Sequence, residues 1–481
     1  MKTIVASFTA SHIGRTRMAP DATMAPSDDM LREPNGVSDA PLTLQRAVLD
    51  YTARDERFAL DKKIYGQYFQ LYFQRLMLLA PRLKQAVAAK WPGVNTSSVL
   101  DLKEDEECVI MGTLYKDMKL KPSILDEYVK EAGAKASDVA GKKFVSDDDS
   151  LVLEDEGARV KLTGKGVAVD CFVTGVVLAV KGRVVANGEF EVDEICYPAP
   201  APQTTRPSPP ATAGRHVLLC SGLRAGDDAA SSALNLELMC DYVTGNLGGA
   251  NEQGVAASVA RVVVCGGALS APEVPAQSLD GRQQAVVARP LRELDVLLTT
   301  LAASVPVDLM PGEGDPTNQA LPQQPLHLCL FPEAKRFSPN TFASCTNPHD
   351  FTLGGVDFLG TAGQNVSNLA AYTDVTKNGT GSDASAAEAL DLMEATVRWQ
   401  HVAPTAPDTL ACYPYKDRDP FFIEKSPHVY FAGMQPSFGW RKVNVGDVET
   451  VCVSVPDFSK TGAVVMLNVD TLECHPVTFG R

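Results

Sequence analysis

The sequence predicts an α/β plus all-β protein: a small N-terminal barrel followed by a larger layered α/β domain. Three observations predict it. Apolar residues recur at a period near two between 99 and 197, with glycines inside or beside the runs. A Pro-rich stretch follows at 198–214. From His216 onward, apolar runs alternate with helix-like segments. The 481 residues, 45% of them hydrophobic and 21% charged, suffice for two or three ordinary globular domains.

Taken in order, residues 1–45 are rich in Pro, Ser, Asp and Met without any period and read as a mobile tail. A helical segment and barrel occupy 57–197. Tyr65, Tyr68, Phe69, Tyr72, Phe73, Leu76, Met77 and Leu79 fall at helical spacing, with Pro81 expected to open a new turn. This helix packs on its own domain or offers a partner-binding face, for which Tyr68, Phe69, Tyr72 and Phe73 are the candidates. Strands are expected over 107–115, 151–153, 160–162, 173–180 and 189–192, with Asn187-Gly188 as a hairpin signal. About five short strands with glycines at the corners suggest a Greek-key barrel of the OB type. The segment 198–214 reads as an extended, stiff linker. In the α/β domain, 215–481, strands are expected at 216–220, 259–265, 305–310, 356–360, 429–432, 450–455 and 463–469. Helices are expected at 229–243, 285–303 and 386–400, and a polar, Gly-rich loop at 375–385.

The net charge of −15 argues against gripping nucleic acid over the whole surface, because neutralising phosphates requires clustered Lys and Arg. No run of 18 apolar residues suggests a membrane span, and the first ten residues make a poor secretory signal. Eleven cysteines include no C-x-x-C pair, and several sit in strand-like runs, as buried reduced thiols do.

Functional residues of α/β domains gather at the carboxyl ends of strands. Here those ends read Ser221-Gly222-Leu223-Arg224, Cys265-Gly266-Gly267-Ala268-Leu269-Ser270, Met310-Pro311-Gly312-Glu313-Gly314-Asp315 and Ala432-Gly433-Met434-Gln435-Pro436. This set of strand-then-Gly turns resembles the calcineurin-type metallophosphoesterases, whose turns carry D-x-H, G-D-x-x-D, G-N-H-D and G-H-x-H. Carried over residue by residue, Gly222 and Arg224 stand where Asp and His would be, and Gly267 and Ser270 where two Asp would be. Glu313 and Gly314 replace Asn and His, and Met434 and Pro436 replace the last two His. Asp315 and His401 are the remnants. One carboxylate and one imidazole cannot hold two divalent ions, so the expectation is no catalytic metal and no cofactor.

The runs at 304–313, 315–318, 321–327, 403–410 and 427–431, together with Gly360-Thr361-Ala362-Gly363-Gln364-Asn365-Val366-Ser367, are similar to the small, B-family subunits of replicative DNA polymerases, most closely those of eukaryotic DNA polymerase delta. The resemblance spans roughly residues 60–481. It implies an OB-fold joined to an inactivated phosphodiesterase domain, acting as a nuclear, non-catalytic accessory subunit in DNA replication and repair. Such a subunit links the catalytic subunit's C-terminal cysteine-rich region to a third, clamp-binding subunit, meets DNA only indirectly and touches no membrane. Gln364 and Asn365 join the candidate partner contacts. Two other readings stay open: an active metal-dependent phosphodiesterase or nuclease using Asp315, His401 and His428, and a binder of single-stranded DNA through the barrel.

Overall fold

The computed structural model describes residues 44–60, 66–122, 143–208, 214–227, 230–270, 281–373 and 384–480. The expected tail, Tyr65 and the loop at 375–383 lie outside these residues, except for positions 44 and 45. The chain enters as a strap over the later domain. The Arg46 guanidinium donates to the carbonyls of Val243, Ala256 and Val259, and strand β1 (Tyr51–Ala53) adds to a sheet edge.

Helix α1 (Tyr68–Lys90) runs unbroken through Pro81, contrary to the expected new turn. A proline inside a helix removes one backbone hydrogen bond. Here Leu71, Arg75, Leu79, Leu83 and Val87 form one buried row at four-residue spacing, and that packing holds the helix on both sides of the proline. Strands β2 (Cys108–Asp117), β3 (Ser150–Glu154), β4 (Arg159–Thr163), β5 (Val177–Val184) and β6 (Phe190–Cys196) close into a barrel in the order β2-β3-β4-β6-β5. Only the β4–β6 pair is parallel, which is the OB arrangement. Alternation puts Leu151, Leu153, Val160 and Leu162 inside. The expected strand at 173–180 begins four residues later, because Gly175 adopts φ +90° against the next domain.

Residues 198–208 do not float between domains. Ala201 is buried and its N–H donates to Gln400 Oε1 at 2.8 Å, while the Pro202 carbonyl accepts from Ser426. The Pro-rich segment is therefore a ribbon bonded to the later domain.

That domain is a two-sheet sandwich. Its strands are β7 (His216–Cys220), β8 (Val259–Cys265), β9 (Val307–Met310), β10 (Phe342–Ser344), β11 (His349–Leu353), β12 (Val356–Thr361), β13 (Val429–Gln435), β14 (Gly439–Val445), β15 (Val448–Pro456), β16 (Ala463–Asn468) and β17 (Cys474–Thr478). One sheet runs β10-β9-β8-β7-β16-β17 and the other β1-β11-β12-β13-β15-β14. Val217, Val263, Phe358, Phe431 and Val453 fill the space between them. Helices α2 (Ala230–Thr244), α3 (Ala250–Ser258) and α4 (Gly281–Ala302) accompany the first sheet, and α5 (Gln364–Tyr372) and α6 (Ala384–Trp399) the second. One apolar core runs from the barrel (Leu114, Leu153, Phe190) into the second sheet and its helices (Leu359, Tyr372, Trp399). Among the described residues no helix is long and apolar enough to cross a membrane.

Candidate functional site

The carboxyl ends of β7, β8, β9 and β13 converge, as the turns in the sequence led one to expect, and backbone fills the meeting point. Gly222 N–H donates to the Gly266 carbonyl at 2.9 Å, and Arg224 N–H to the Gly267 carbonyl at 3.1 Å. Gly222 and Gly267 both lie in the left-handed region, at φ +66° and +65°. A Cβ at Gly267 would meet the Met434 sulfur at 2.6 Å and the Gly222 Cα at 3.2 Å. A Cβ at Gly222 would meet Asp457 Oδ1 at 2.3 Å. Met434 itself has φ +54°, a strained value for a side-chain-bearing residue, and is held by its N–H on Ser221 Oγ at 2.8 Å. Its thioether plugs the point toward which metal ligands would have to aim.

Asp315 is buried behind this plug. Its carboxylate accepts four backbone N–H groups, from Gly312 (2.8 Å), Gly267 (3.0 Å), Leu269 (3.1 Å) and Ala268 (3.4 Å). Burial pushes the carboxyl upward in spite of these donors. It ties the β8 and β9 turns together. Asp457, which sequence reasoning did not single out, is the other acid here. It pairs with Arg224 at 3.3 Å and Lys460 at 3.2 Å, and accepts from Ser459 Oγ at 2.7 Å. Its signal was legible: Pro456-Asp457 ends β15, a fifth strand end at the same site. Ser270 N–H closes the turn on the Ala225 carbonyl, and Glu313, Gly314 and Pro436 are exposed at the rim. Glu313 and Gly314 also line a cleft of about 620 Å³ that reaches Gln364.

His401 and His428 are not brought to the plug. His428 precedes β13 while Met434 lies near its end, a separation of about 20 Å along an extended strand. Its Nδ1 accepts from Asp357 N–H at 2.9 Å and its Nε2 donates to the Thr204 carbonyl at 2.8 Å. His401 sits between the domains. Its Nδ1 accepts from Ala403 N–H at 3.2 Å and its Nε2 donates to Asp419 Oδ2 at 2.8 Å. The same Asp419 oxygen accepts from Arg75 Nε at 2.9 Å. The rest of the Arg75 guanidinium, wholly buried on α1, donates to the carbonyls of Gly175, Pro404 and Ala406 at 3.1, 2.7 and 2.7 Å. One arginine thus joins the helix, the barrel and the sandwich. A Cβ at Gly175 would lie 1.9 Å from the Pro404 carbonyl oxygen, so only glycine permits this approach.

Burial, with the nearby Arg75 charge, pushes His401 down to about 4, while His401 and Arg75 hold Asp419 well below the usual carboxylate range. The unfolded chain binds the His401 proton near pH 6.5 and the folded chain only near 4. Between those values the unfolded state carries the extra proton, so stability present at neutral pH declines as pH falls from about 6.5 to about 4. In denaturant titrations across this window, His401→Gln is expected to flatten the slope by about one proton relative to the natural chain. An unchanged slope would contradict the assignment.

The candidate partner contacts separate into two groups. Tyr68, Phe69 and Phe73 are 52%, 68% and 47% exposed, and Met77 continues the Phe69–Phe73 row on the face opposite the buried one. Tyr72 is half-buried and lines, with Phe69 and Phe73, a groove of about 400 Å³ between α1 and the barrel, with Glu154 and Glu156 on its rim. Asn365 is a correction, whereas Gln364 is half-buried and lines the open cleft. Asn365 is 2% exposed, and its amide donates to the Val402 carbonyl and Tyr430 Oη, because the first turn of α5 packs inward. The Gln364 amide is engaged by Asn347 at 2.9 Å and Gln323 at 2.9 Å. Asn365 serves the sandwich's own packing.

An OB barrel clasped to a two-sheet sandwich, its strand-end turns closed by glycine and methionine, defines the class of protein. Residues 67–195 match the family model described as the DNA polymerase delta subunit OB-fold domain, and residues 217–440 that of the DNA polymerase alpha/epsilon B-subunit. The chain is 42% identical over 441 residues to the DNA polymerase delta small subunit of Arabidopsis thaliana, covering 90% of this chain and 96% of that one. It is 33% identical over 447 residues to the Saccharomyces cerevisiae DNA polymerase delta small subunit (86% and 90% covered) and 37% identical over 424 residues to DNA polymerase delta subunit 2 of Drosophila melanogaster (86% and 93%). The chain belongs to the DNA polymerase delta small subunit family.

Proposed function

We propose that this chain is a non-catalytic accessory subunit of DNA polymerase delta that works in the nucleus as a rigid scaffold. In this reading residues 57–197 and 215–481 are its two structural units, and no two-metal centre forms at the strand ends. The observation that carries it is the plug: Gly222, Gly267 and Met434 occupy the space that converging metal ligands would need. The partners are the catalytic subunit, through its C-terminal cysteine-rich region, and a third, clamp-binding subunit. Co-expression with each partner tests the assignment. Stoichiometric co-purification is expected, and a monodisperse chain that ignores both would overturn it.

Exposed aromatics beside an acidic rim suit a partner that presents apolar side chains flanked by Lys or Arg. Phe69→Ser combined with Phe73→Ser is expected to weaken one of the two partner complexes at least tenfold. The urea midpoint should hardly move, since exposed positions change stability by about 0.5 kcal/mol or less. Retention of both partners at undiminished affinity would remove α1 from the interface.

A further inference from the structure

We propose that Asp55, Cys345 and His349 form a site for one divalent cation of the zinc type, separate from the strand-end turns, that fastens the N-terminal strap to the sandwich. The three residues come from different segments. Asp55 opens the short 3-10 turn Asp55–Phe58 of the strap, Cys345 follows β10 and His349 begins β11. One ligand atom from each lies within 4.8 Å of the others. The Asp55 carboxylate meets His349 Nδ1 at 2.8 and 2.9 Å, and is fixed from the other side by the N–H groups of Asp350 (3.0 Å) and Thr346 (3.3 Å). Carboxylate, thiolate and imidazole together are a zinc donor set, and tetrahedral bonding spaces such atoms about 3.3–3.7 Å apart.

The second observation is Asp308 on β9. Its side chain is fully buried, its Oδ1 takes the Arg261 guanidinium at 2.5 Å, and its Oδ2 has no hydrogen-bond partner. That orphaned oxygen lies 3.6 Å from His349 Nε2, too long for a hydrogen bond, with Tyr51 Oη at 3.4 Å on the same nitrogen. A metal-bound histidine donates its other ring N–H to a carboxylate, which fixes its tautomer and orientation. With Nδ1 on the ion, Nε2–H faces that acceptor already in place, and Asp308 is the positioning residue. Asp55 keeps 19% of its side chain exposed, so water can reach the fourth coordination position. Loading displaces the Cys345 thiol proton, while His349 binds the ion through the Nδ1 lone pair and keeps its ring proton on Nε2.

The test uses the full chain, stripped with a chelator and titrated with Co²⁺ as a coloured stand-in for zinc. One ion per chain is expected, with a thiolate-to-cobalt charge-transfer band that Zn²⁺ bleaches. Cys345→Ser should abolish the band, whereas Cys171→Ser and Cys329→Ser, at exposed cysteines elsewhere, should leave it. Asp308→Asn should weaken binding about 10- to 100-fold. Asp55→Asn, the most exposed ligand of the three, keeps the side-chain shape and one acceptor oxygen and should lower affinity, with its urea midpoint measured alongside to separate loss of the site from loss of the fold. Absence of a stoichiometric band in the natural chain, or its persistence in Cys345→Ser, overturns the proposal.

Discussion

Arg75→Ala is expected to destabilise the protein by about 3–5 kcal/mol, read as a drop in the urea midpoint. The mutation leaves Asp419 ionised and buried with His401 as its remaining side-chain partner, and removes the donors to the carbonyls of Gly175, Pro404 and Ala406. Most of the loss arises from the stranded charge, so Arg75→Met combined with Asp419→Leu should recover much of it. A single variant within about 1 kcal/mol of the natural chain would show that the domains are held by apolar packing alone.

Asp315→Ala is expected to cost about 3 kcal/mol or more, because four backbone N–H groups in two buried turns lose their acceptor together. Asp315→Asn keeps one oxygen of nearly the same shape and should fall between. The order Asp, then Asn, then Ala in denaturation midpoints identifies a structural tie. Equal stability in all three would return Asp315 to the role of a spare ligand.

The parts of this fold that sequence displays are those where one rule dominates. The barrel strands alternate, as Leu151-Val152-Leu153 does, because one face is packed and the other wet. Strands β7, β8 and β13 are dominated by apolar runs, broken in β8 only by Arg261, because both faces are covered. Edge strands β1, β10, β14 and β17 went unread because they are short or half-exposed and lack a clean apolar pattern. The break expected at Pro81 failed for the same reason, since tertiary burial of Leu79 and Leu83 outweighed a local signal. At the site, the glycine turns were legible, but their closure by Met434 and the two cations on Asp457 were not. Arg75 had a faint signature, one cation in the apolar row of an aromatic helix. The Asp55–Cys345–His349 cluster had none, because Asp55 lies 294 residues before His349 and Cys345-x-x-x-His349 alone supplies only two ligands.

In the proposed reading the strand-end turns assemble no hydrolytic metal pair. The most direct measurement is the rate at which the full chain, with Mn²⁺ supplied in excess, hydrolyses single-stranded DNA and a chromogenic phosphodiester. The expected rate equals that of Mn²⁺ alone, and is the same for the Cys345→Ser chain. Metal-dependent turnover that follows the chain through purification would contradict the account.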